Sequence, residues 1–243
     1  MPPRFFVDTP LAAPGELSLP PAAARHVQVL RLQPGNAITL FDGSGDEWQA
    51  EVLAMGRSEV RVHLLARQTV QRELGQDLTL ALAMPANDRM DSLVEKATEL
   101  GVACIQPLMS ERSVLRLSGE RAGKKIAHWH GVAVAACEQS GRTRIPHIAM
   151  VQDLASWLQS LDGAPAHQRR WLLSPGAAKP LHELALRSAA STLVLSGPEG
   201  GFSAAEEADA RTHGFEAASL GPRVLRSDTA PLAVLAYLTL IDA

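Results

Sequence analysis

The feature that most constrains the fold is a glycine-rich loop in LVLSGPEGGFSAAEE, residues 193–207. The apolar residues 193–195 before it indicate a buried strand of a parallel sheet. Ser203 and Glu206 after it have the spacing of a capping box, in which each side chain accepts from the backbone amide of the other residue. A strand, a glycine loop and a capped helix together predict a small-molecule site at the carboxyl edge of a sheet.

The composition of this loop limits its ligand. No Lys-Ser or Lys-Thr pair follows the glycines, and their spacing is not G-x-G-x-x-G, so the loop is neither a P-loop nor a dinucleotide-binding fingerprint. The central carboxylate, Glu199, favours a cationic or neutral ligand over a polyphosphate. Taken alone, the loop also fits a plain connection between a strand and a helix.

Two further segments end in the same way. Residues 219–230, SLGPRVLRSDTA, contain a strand end, an arginine-containing turn and the start of a helix. Residues 171–176, WLLSPG, form a third strand end with proline and glycine. Because the carboxyl ends of parallel strands meet at one edge of a sheet, we expect the three loops to lie together.

The motif GPEGGFS followed by SLGPRVLR-x-[ED]-TA resembles the SPOUT class of S-adenosylmethionine-dependent RNA methyltransferases. More narrowly, it resembles the ribosomal RNA small subunit methyltransferase E family, which methylates N3 of a uridine in 16S ribosomal RNA. The family usually has glutamate where this chain has Asp228, a change that keeps the charge and shortens the reach. Similar segments cover nearly the whole chain, in the family's order: 4–8, 23–48, 88–102, 110–116 and 137–146.

We predict an α/β fold with two domains. Residues 1–70 read as short strands around one helix, which predicts a small β-barrel, and the resemblance implies a PUA-like domain that holds RNA. Residues 71–243 alternate strands with helices, which predicts a parallel sheet covered on both faces. The resemblance implies that this second part is a SPOUT methyltransferase domain with a trefoil knot. The predicted strands lie at 4–7, 37–41, 47–55, 59–66, 78–84 and 102–108, and the predicted helices at 21–30, 88–100, 120–138 and 151–161.

The resemblance implies S-adenosylmethionine as the cofactor. Small residues let a main chain approach a ligand closely, so we expect a pocket built mainly of backbone. Glu199 also fits a loop carboxylate that caps a helix N-terminus, and both roles stay open. The predicted cofactor-binding residues are Leu173, Leu195, Gly197, Glu199, Gly200, Gly201, Leu220, Gly221, Leu225 and Thr229.

Arg226 is the predicted catalytic residue. N3 of uridine carries a proton, and the C-terminal motif contains no histidine to remove it. A fixed guanidinium beside the uracil carbonyls stabilises the imide anion. Asp228 either orients Arg226 or takes the proton through water. The two side chains also fit a local ion pair within the turn.

Seven basic residues are predicted to contact RNA, because they lie in the segments most similar to the family and at loops and helix ends. A net charge of −3 argues against a generally basic RNA-binding surface, but a few phosphate contacts need only a local patch. The run EQSGRTR, 138–144, also fits a solvated helix end. The predicted contacts are Arg4, Arg25, His26, Arg31, Arg112, Arg142 and Arg144.

No metal site is predicted. His128 and His130 lie two apart on a helix and point to different faces. Asp42, Ser44 and Asp46 alternate as in a calcium loop, but the glutamate at position twelve is missing, which favours a hairpin turn.

The two cysteines have no partner at the spacing of metal ligands, which indicates a reducing compartment without disulfides. No signal core or membrane-length apolar run is present. We therefore expect a cytoplasmic protein.

The last helix, 230–240, is apolar nearly all round, which predicts a homodimer, with a fully internal helix as the alternative. The resemblance also implies dimers whose cofactor sites lie beside the subunit boundary.

The leading function that the resemblance implies is methylation of N3 of a uridine in 16S ribosomal RNA, with the assembled small subunit as partner. An RNA-binding assembly factor without a cofactor and a SPOUT methyltransferase acting on another RNA position stay open. The intact loop glycines favour an enzyme.

Overall fold

The computed structural model describes residues 2–57, 59–161, 167–184 and 189–242. Its chain divides into two compact units. The first consists of Met1–Glu73 and Val134–Ile145, and the second of Leu74–Ala133 and Pro146–Ala243. A segment from the middle of the sequence therefore completes the N-terminal unit.

Among its described residues, the first unit contains the end of a later helix and the following elements: β1 (Arg4–Phe6), β2 (Gly15–Ser18), α1 (Pro21–Val29), β3 (Ala37–Phe41), β4 (Asp46–Met55) and β5 (Val60–Thr69). Their order in the sheet is β1-β3-β4-β5-β2. All neighbours are antiparallel except β1 and β3. Apolar side chains from the strands and from α1, among them Phe5, Val27 and Trp48, form the core of this unit.

The turn between β3 and β4 is a hairpin, as the sequence predicts. The Asp42 carboxylate accepts from the backbone amides of Leu11 and Ser44, at 2.8 and 3.0 Å. Burial acts to raise the pKa of Asp42, but these hydrogen bonds outweigh it, so the pKa lies below its usual value. The carboxylate is thus occupied in fixing the turn.

The second unit alternates strands and helices: β6 (Asp77–Ala83), α2 (Asn87–Glu99), β7 (Cys104–Met109), α3 (Gly119–Ser140), β8 (His147–Ile148), β9 (Gln152–Asp153), α4 (Leu154–Ser160), β10 (Gln168–Leu173), α5 (Leu181–Leu184), β11 (Ser191–Ser196), α6 (Ala204–Thr212), β12 (Glu216–Ala218) and α7 (Thr229–Asp242). The end of α3, from Val134, belongs to the first unit. The strand order is β12-β10-β11-β6-β7-β8, and β9 also pairs with β7. Every pairing is parallel, so the predicted α/β class is confirmed.

The position of β10, β11 and β12 as neighbours in the sheet places the loops that follow them side by side. The capping box of α6 is present as predicted. Ser203 Oγ accepts from the Glu206 amide at 3.3 Å, and Glu206 Oε2 accepts from the Ser203 amide at 2.8 Å. The trefoil threading that the resemblance implies stays a prediction.

Within the described ranges, no helix is both long and apolar enough to cross a membrane. Over the same residues, no three His, Cys, Asp or Glu side chains are grouped so that they hold a metal ion.

Candidate active site

A cavity of about 550 Å³ lies at the carboxyl edge of the sheet in the second unit. Residues of three segments line it, each beginning with the last residue of a strand: 173–175 at the end of β10, 196–202 at the end of β11 and 218–227 at the end of β12. Arg89, Glu207 and Ala230 also line it. The volume lies within the range of small-molecule pockets. The structure thus brings together the three loops that the sequence singled out.

Eight of the ten residues predicted to bind the cofactor line this cavity: Leu173, Gly197, Glu199, Gly200, Gly201, Leu220, Gly221 and Leu225. Leu195 is fully buried in the core of the unit. Thr229 is exposed in the first turn of α7 and does not line the cavity. Leu195 and Thr229 are therefore not lining residues of this cavity. Cofactor binding by the other eight stays a prediction.

The glycines let the backbone face the cavity. Gly201 and Gly221 have φ values of +66° and +102°, in the left-handed region that glycine adopts without strain. A Cβ atom at either position would meet no atom within 4 Å, so the space above both is open. At Gly197 a Cβ would lie only 3.2 Å from the Phe202 ring. A ligand can therefore approach the main chain closely at Gly201 and Gly221, whereas Phe202 occupies the space at Gly197.

Glu199 combines the two roles that the sequence left open. One carboxylate oxygen accepts from the Ala86 amide at 3.4 Å and from Arg89 Nη1 at 3.3 Å, at the N-terminus of α2. A carboxylate is favoured there by the helix dipole. The same side chain lines the cavity and is one-third exposed, at 32%. Glu199 therefore accepts hydrogen bonds at the start of α2 and also faces the cavity.

Sequence reasoning missed several polar side chains of the cavity: Arg89, Ser174, Ser196, Glu207, Arg223 and Ser227. The Ser174 hydroxyl donates to Glu207 at 3.2 Å, and Arg211 donates to the other oxygen of Glu207 at 2.8 Å. The Ser227 hydroxyl is buried and has no hydrogen-bond partner among the described residues. The three serines lie next to the glycine and proline motifs, and this position could have marked them as lining residues. Arg89 and Glu207 lie on helices, where no local pattern marks them.

Arg226 lines the cavity, and its side chain is exposed. Its carbonyl accepts from the Ala230 amide at 3.0 Å, which ties its backbone to the first turn of α7. No ion pair joins it to Asp228 in the part of the chain that the structure describes, so the local pair is not observed. Asp228 instead accepts from the Thr229 amide at 3.0 Å and lies outside the cavity lining.

Two predicted RNA contacts in the first unit are buried. Arg4 pairs with Glu47 and donates to the Arg142 carbonyl at 3.1 Å. Arg142 pairs with Glu73 at 2.6 Å. Burial acts to raise the pKa of Glu47, but the hydrogen bonds from Arg72 and Arg4 hold it below its usual value. Because both guanidiniums are desolvated and already neutralised, we no longer propose Arg4 and Arg142 as RNA contacts.

The run 138–144 is packed rather than solvated. Arg72 donates to the Gly141 carbonyl at 2.8 Å, and the Thr143 hydroxyl donates to the Gly45 carbonyl at 3.0 Å. Glu138 accepts from the Phe6 amide at 3.0 Å, and its burial raises its pKa. The alternative of a simple solvated helix end is therefore wrong for most of this run.

The other predicted RNA contacts are more accessible. Arg25, Arg31 and Arg144 are exposed in the first unit. His26 is half-buried, with Nδ1 3.2 Å from a Glu138 oxygen. In the second unit, Arg112 is exposed but donates to the Gly200 carbonyl at 2.9 Å. Three of the seven residues, Arg25, Arg31 and Arg144, thus have an exposed side chain without a hydrogen-bond or ion-pair partner among the described residues.

Two family models match the chain. One, described as an RNA methyltransferase domain, matches residues 72–239. The other, described as an RNA methyltransferase PUA domain, matches residues 19–65.

Named relatives and solved structures agree with these matches. Ribosomal RNA small subunit methyltransferase E of Synechocystis sp. is 32% identical, over 91% of this chain and 72% of the relative. The protein of the same name from Bacillus subtilis is 29% identical, over 88% and 85% of the two chains. The crystal structure of this methyltransferase from Neisseria gonorrhoeae, bound to S-adenosylmethionine, has a TM-score of 0.91 and 34% identity over 99% of this chain and 98% of that one. A Legionella pneumophila protein solved in complex with the bound cofactor S-adenosylmethionine has a TM-score of 0.92 and 32% identity, with the same coverage.

The fold, the cavity and the matched domain model define the class of RNA methyltransferases. Within that class, the chain belongs to the ribosomal RNA small subunit methyltransferase E family. The family resemblance found in the sequence is therefore confirmed.

Proposed function

We propose that this protein transfers the methyl group of S-adenosylmethionine to N3 of a uridine in 16S ribosomal RNA. The observation that carries this proposal is the meeting of three strand-end loops around one cavity, in a chain of this methyltransferase family. The solved relatives from N. gonorrhoeae and L. pneumophila contain S-adenosylmethionine, which supports the same cofactor here. We place the reaction in the cytoplasm, with the assembled small subunit as the partner.

The cavity lining fits this cofactor. The open space above Gly201 and Gly221 leaves backbone groups within reach of a ligand, and leucine side chains supply apolar surface. Glu199 and Glu207 place carboxylates in a lining that also contains Arg89, Arg223 and Arg226, and each glutamate already pairs with an arginine. The buried Ser227 hydroxyl has no hydrogen-bond partner in the part of the chain that the structure describes. When bound, the cofactor supplies a methyl group on a sulfonium, which is already activated for transfer.

The contribution of this chain is to orient and activate the acceptor. Arg226 lines the cavity, and no hydrogen bond or ion pair holds its side chain among the described residues. A guanidinium beside the uracil carbonyls lowers the cost of the imide anion at N3. Among the described residues Asp228 makes no ion pair with Arg226 and lies outside the cavity lining, so we assign it neither the orienting role nor the proton-accepting role ahead of the other.

Isothermal titration with S-adenosylmethionine separates the enzyme from an assembly factor that lost its cofactor. We expect one binding site per chain. A purified, folded protein that gives no binding heat at millimolar cofactor would contradict the methyltransferase proposal and favour the assembly factor.

We also propose that residues 1–70 form an RNA-binding domain and residues 71–243 the catalytic domain. Arg25 and Arg31 present exposed guanidiniums within residues 1–70, and Arg144 presents a third on the segment 134–145 that joins the same unit. The Arg144 side chain lies over Gly45, where a Cβ would come within 3.2 Å of its Nε. The missing side chain at Gly45 thus leaves room for this arginine.

Arg144→Ala should weaken RNA binding and make it less dependent on salt. Each phosphate neutralised adds about 0.7–0.9 to the slope of log affinity against log salt, so the variant should lose about one such unit. Fluorescence anisotropy with a labelled 16S fragment at several salt concentrations measures this slope. Arg61→Ala is the matched control, because Glu16 already neutralises Arg61 at 3.3 Å. An unchanged slope in Arg144→Ala would remove it from the RNA surface.

We propose a homodimer formed in part by α7. Val234, Leu235 and Leu238 are buried in the unit, whereas Leu240 and Ile241 are 77% and 51% exposed. Two apolar side chains in the last turn of the helix are therefore left uncovered by the described residues of its own unit. Light scattering at micromolar concentration should give twice the chain mass of 26.0 kDa, and Leu240→Glu should shift it towards the monomer. A monomeric wild type would contradict the proposal.

A further inference from the structure

The glycine loop, residues 197–203, receives hydrogen bonds from a separate segment, residues 110–116. We propose that Arg112 of this segment is a positioning residue that holds the glycine loop in its cofactor-binding conformation. The inference rests on the proposed function, because it gives Arg112 a role in cofactor affinity. It replaces the RNA contact that the sequence predicts for this residue.

The first observation is the contact of Arg112 with the loop backbone. Its Nη1 donates to the Gly200 carbonyl at 2.9 Å and approaches the Phe202 carbonyl at 3.5 Å. Hydrogen bonds from a charged donor are stronger than those between neutral groups. These carbonyls belong to the loop whose residues line the cavity. The guanidinium therefore acts on the loop, not on the cavity itself.

The aliphatic part of Arg112 also packs against the loop. A Cβ at Gly200 would lie 3.4 Å from Arg112 Cδ and 3.5 Å from Arg112 Cβ. The stem of the arginine thus occupies the side of Gly200 on which a Cβ would project. Long basic side chains commonly bury their stems while the charged end makes polar contacts.

The neighbouring residue holds the far end of the same loop. The Glu111 amide donates to Glu206 Oε1 at 2.7 Å, while Glu206 Oε2 accepts from the Ser203 amide. The capping box of α6 is thereby extended to the 110–116 segment. Residues 111 and 112 therefore fix both the middle of the glycine loop and the point where it enters the helix.

The 110–116 segment is itself ordered from within. The hydroxyls of Ser110 and Ser113 lie 2.9 Å apart, and both residues are buried. Arg116 donates to the Glu111 carbonyl at 3.0 Å. A segment with these internal bonds is a firm support for a loop that contains three glycines. A loop held in its binding conformation before the ligand arrives loses less entropy on binding.

The positioning role and an RNA-contacting role make opposite predictions. If Arg112 positions the loop, its loss raises the Kd and the KM for S-adenosylmethionine and leaves the salt dependence of RNA binding unchanged. If Arg112 contacts RNA, its loss lowers the salt slope by about one phosphate and leaves the cofactor affinity unchanged.

The test compares Arg112→Ala and Arg112→Lys with Arg121→Ala, an exposed arginine of α3 outside the cavity lining. Arg112→Ala should weaken cofactor binding in isothermal titration by about 10-fold to 100-fold, the range expected for a lost hydrogen bond from a charged donor. Arg112→Lys should recover part of this loss, because an ammonium group still reaches one carbonyl. Thermal unfolding without cofactor checks that the variants are folded, and where Arg112→Ala is not, Arg112→Lys carries the measurement.

Unchanged cofactor affinity in a folded Arg112→Ala variant overturns the inference, whether or not RNA binding changes. Equal losses in Arg112→Ala and Arg121→Ala overturn it as well, since they indicate a general effect of charge. If the wild type binds no S-adenosylmethionine, the proposed function itself is contradicted. If the wild type and the Arg112→Ala variant bind it equally well, only the inference about Arg112 is contradicted.

Discussion

Arg226→Ala should lose most of the methyl transfer and keep cofactor binding. The guanidinium lines the cavity without a partner among the described residues, so its removal leaves the lining otherwise intact. Removing one electrostatic stabiliser of a developing anion typically costs about 10²–10³ in kcat. Single-turnover methyl transfer and isothermal titration of the same preparation separate the two effects.

The pH dependence of the residual activity tests the reason for that loss. If Arg226 stabilises the imide anion, the activity of Arg226→Ala should rise with pH, because uridine then ionises without help. Arg226→Lys is the matched variant, since it keeps the positive charge and loses the planar fork. It should retain more activity than Arg226→Ala. Wild-type turnover in Arg226→Ala, or weaker cofactor binding as its sole effect, would place the catalytic role elsewhere.

Gly201→Val should abolish cofactor binding and leave the fold intact. Gly201 has a φ of +66°, which a β-branched residue adopts only with strain, and the space above it is open to the cavity. The loop must change its backbone to accept valine, or the side chain fills space that a ligand needs. Backbone strain of about 1–3 kcal/mol that the free variant relieves and the bound one must restore corresponds to about 5-fold to 150-fold in affinity.

Gly176→Val is the matched control for this prediction. Gly176 follows β10 in a similar loop but does not line the cavity, and a Cβ there would meet no atom within 4 Å. Isothermal titration of both variants gives the comparison, and circular dichroism checks the fold. Equal cofactor affinity in Gly201→Val and the wild type would show that the ligand binds elsewhere.

Much of the fold was predictable because it depends on local signals. The capping box at Ser203 and the end of α2 before Gly101 are specified within a few residues. The short strand β2 was not predicted, since GELS has no apolar alternation. It forms because it pairs with β5, where Gly15 lies opposite Leu64. Pairing of this kind depends on residues far away in sequence.

In the candidate site too, the features set by local motifs were predictable and those set by distant residues were not. The three loops carry glycine and proline motifs, so the sequence placed them at one edge of a sheet. The burial of Arg4 and Arg142 was not predictable, because arginine is usually exposed and suits phosphate contacts. Their partners, Glu47 and Glu73, lie 43 and 69 residues away. Nothing in the neighbourhood of either arginine marks it as part of a buried ion pair.

The most direct test of the proposed reaction is to map the methyl group on the RNA. Small subunits and free 16S ribosomal RNA, both from a strain that lacks this gene, are incubated with the purified protein and labelled S-adenosylmethionine. Mass spectrometry of the digested RNA should then find 3-methyluridine at one position with the wild type, and little with Arg226→Ala. Methyl groups on another nucleotide, or none on either substrate, would contradict the assignment of uridine N3 as the acceptor.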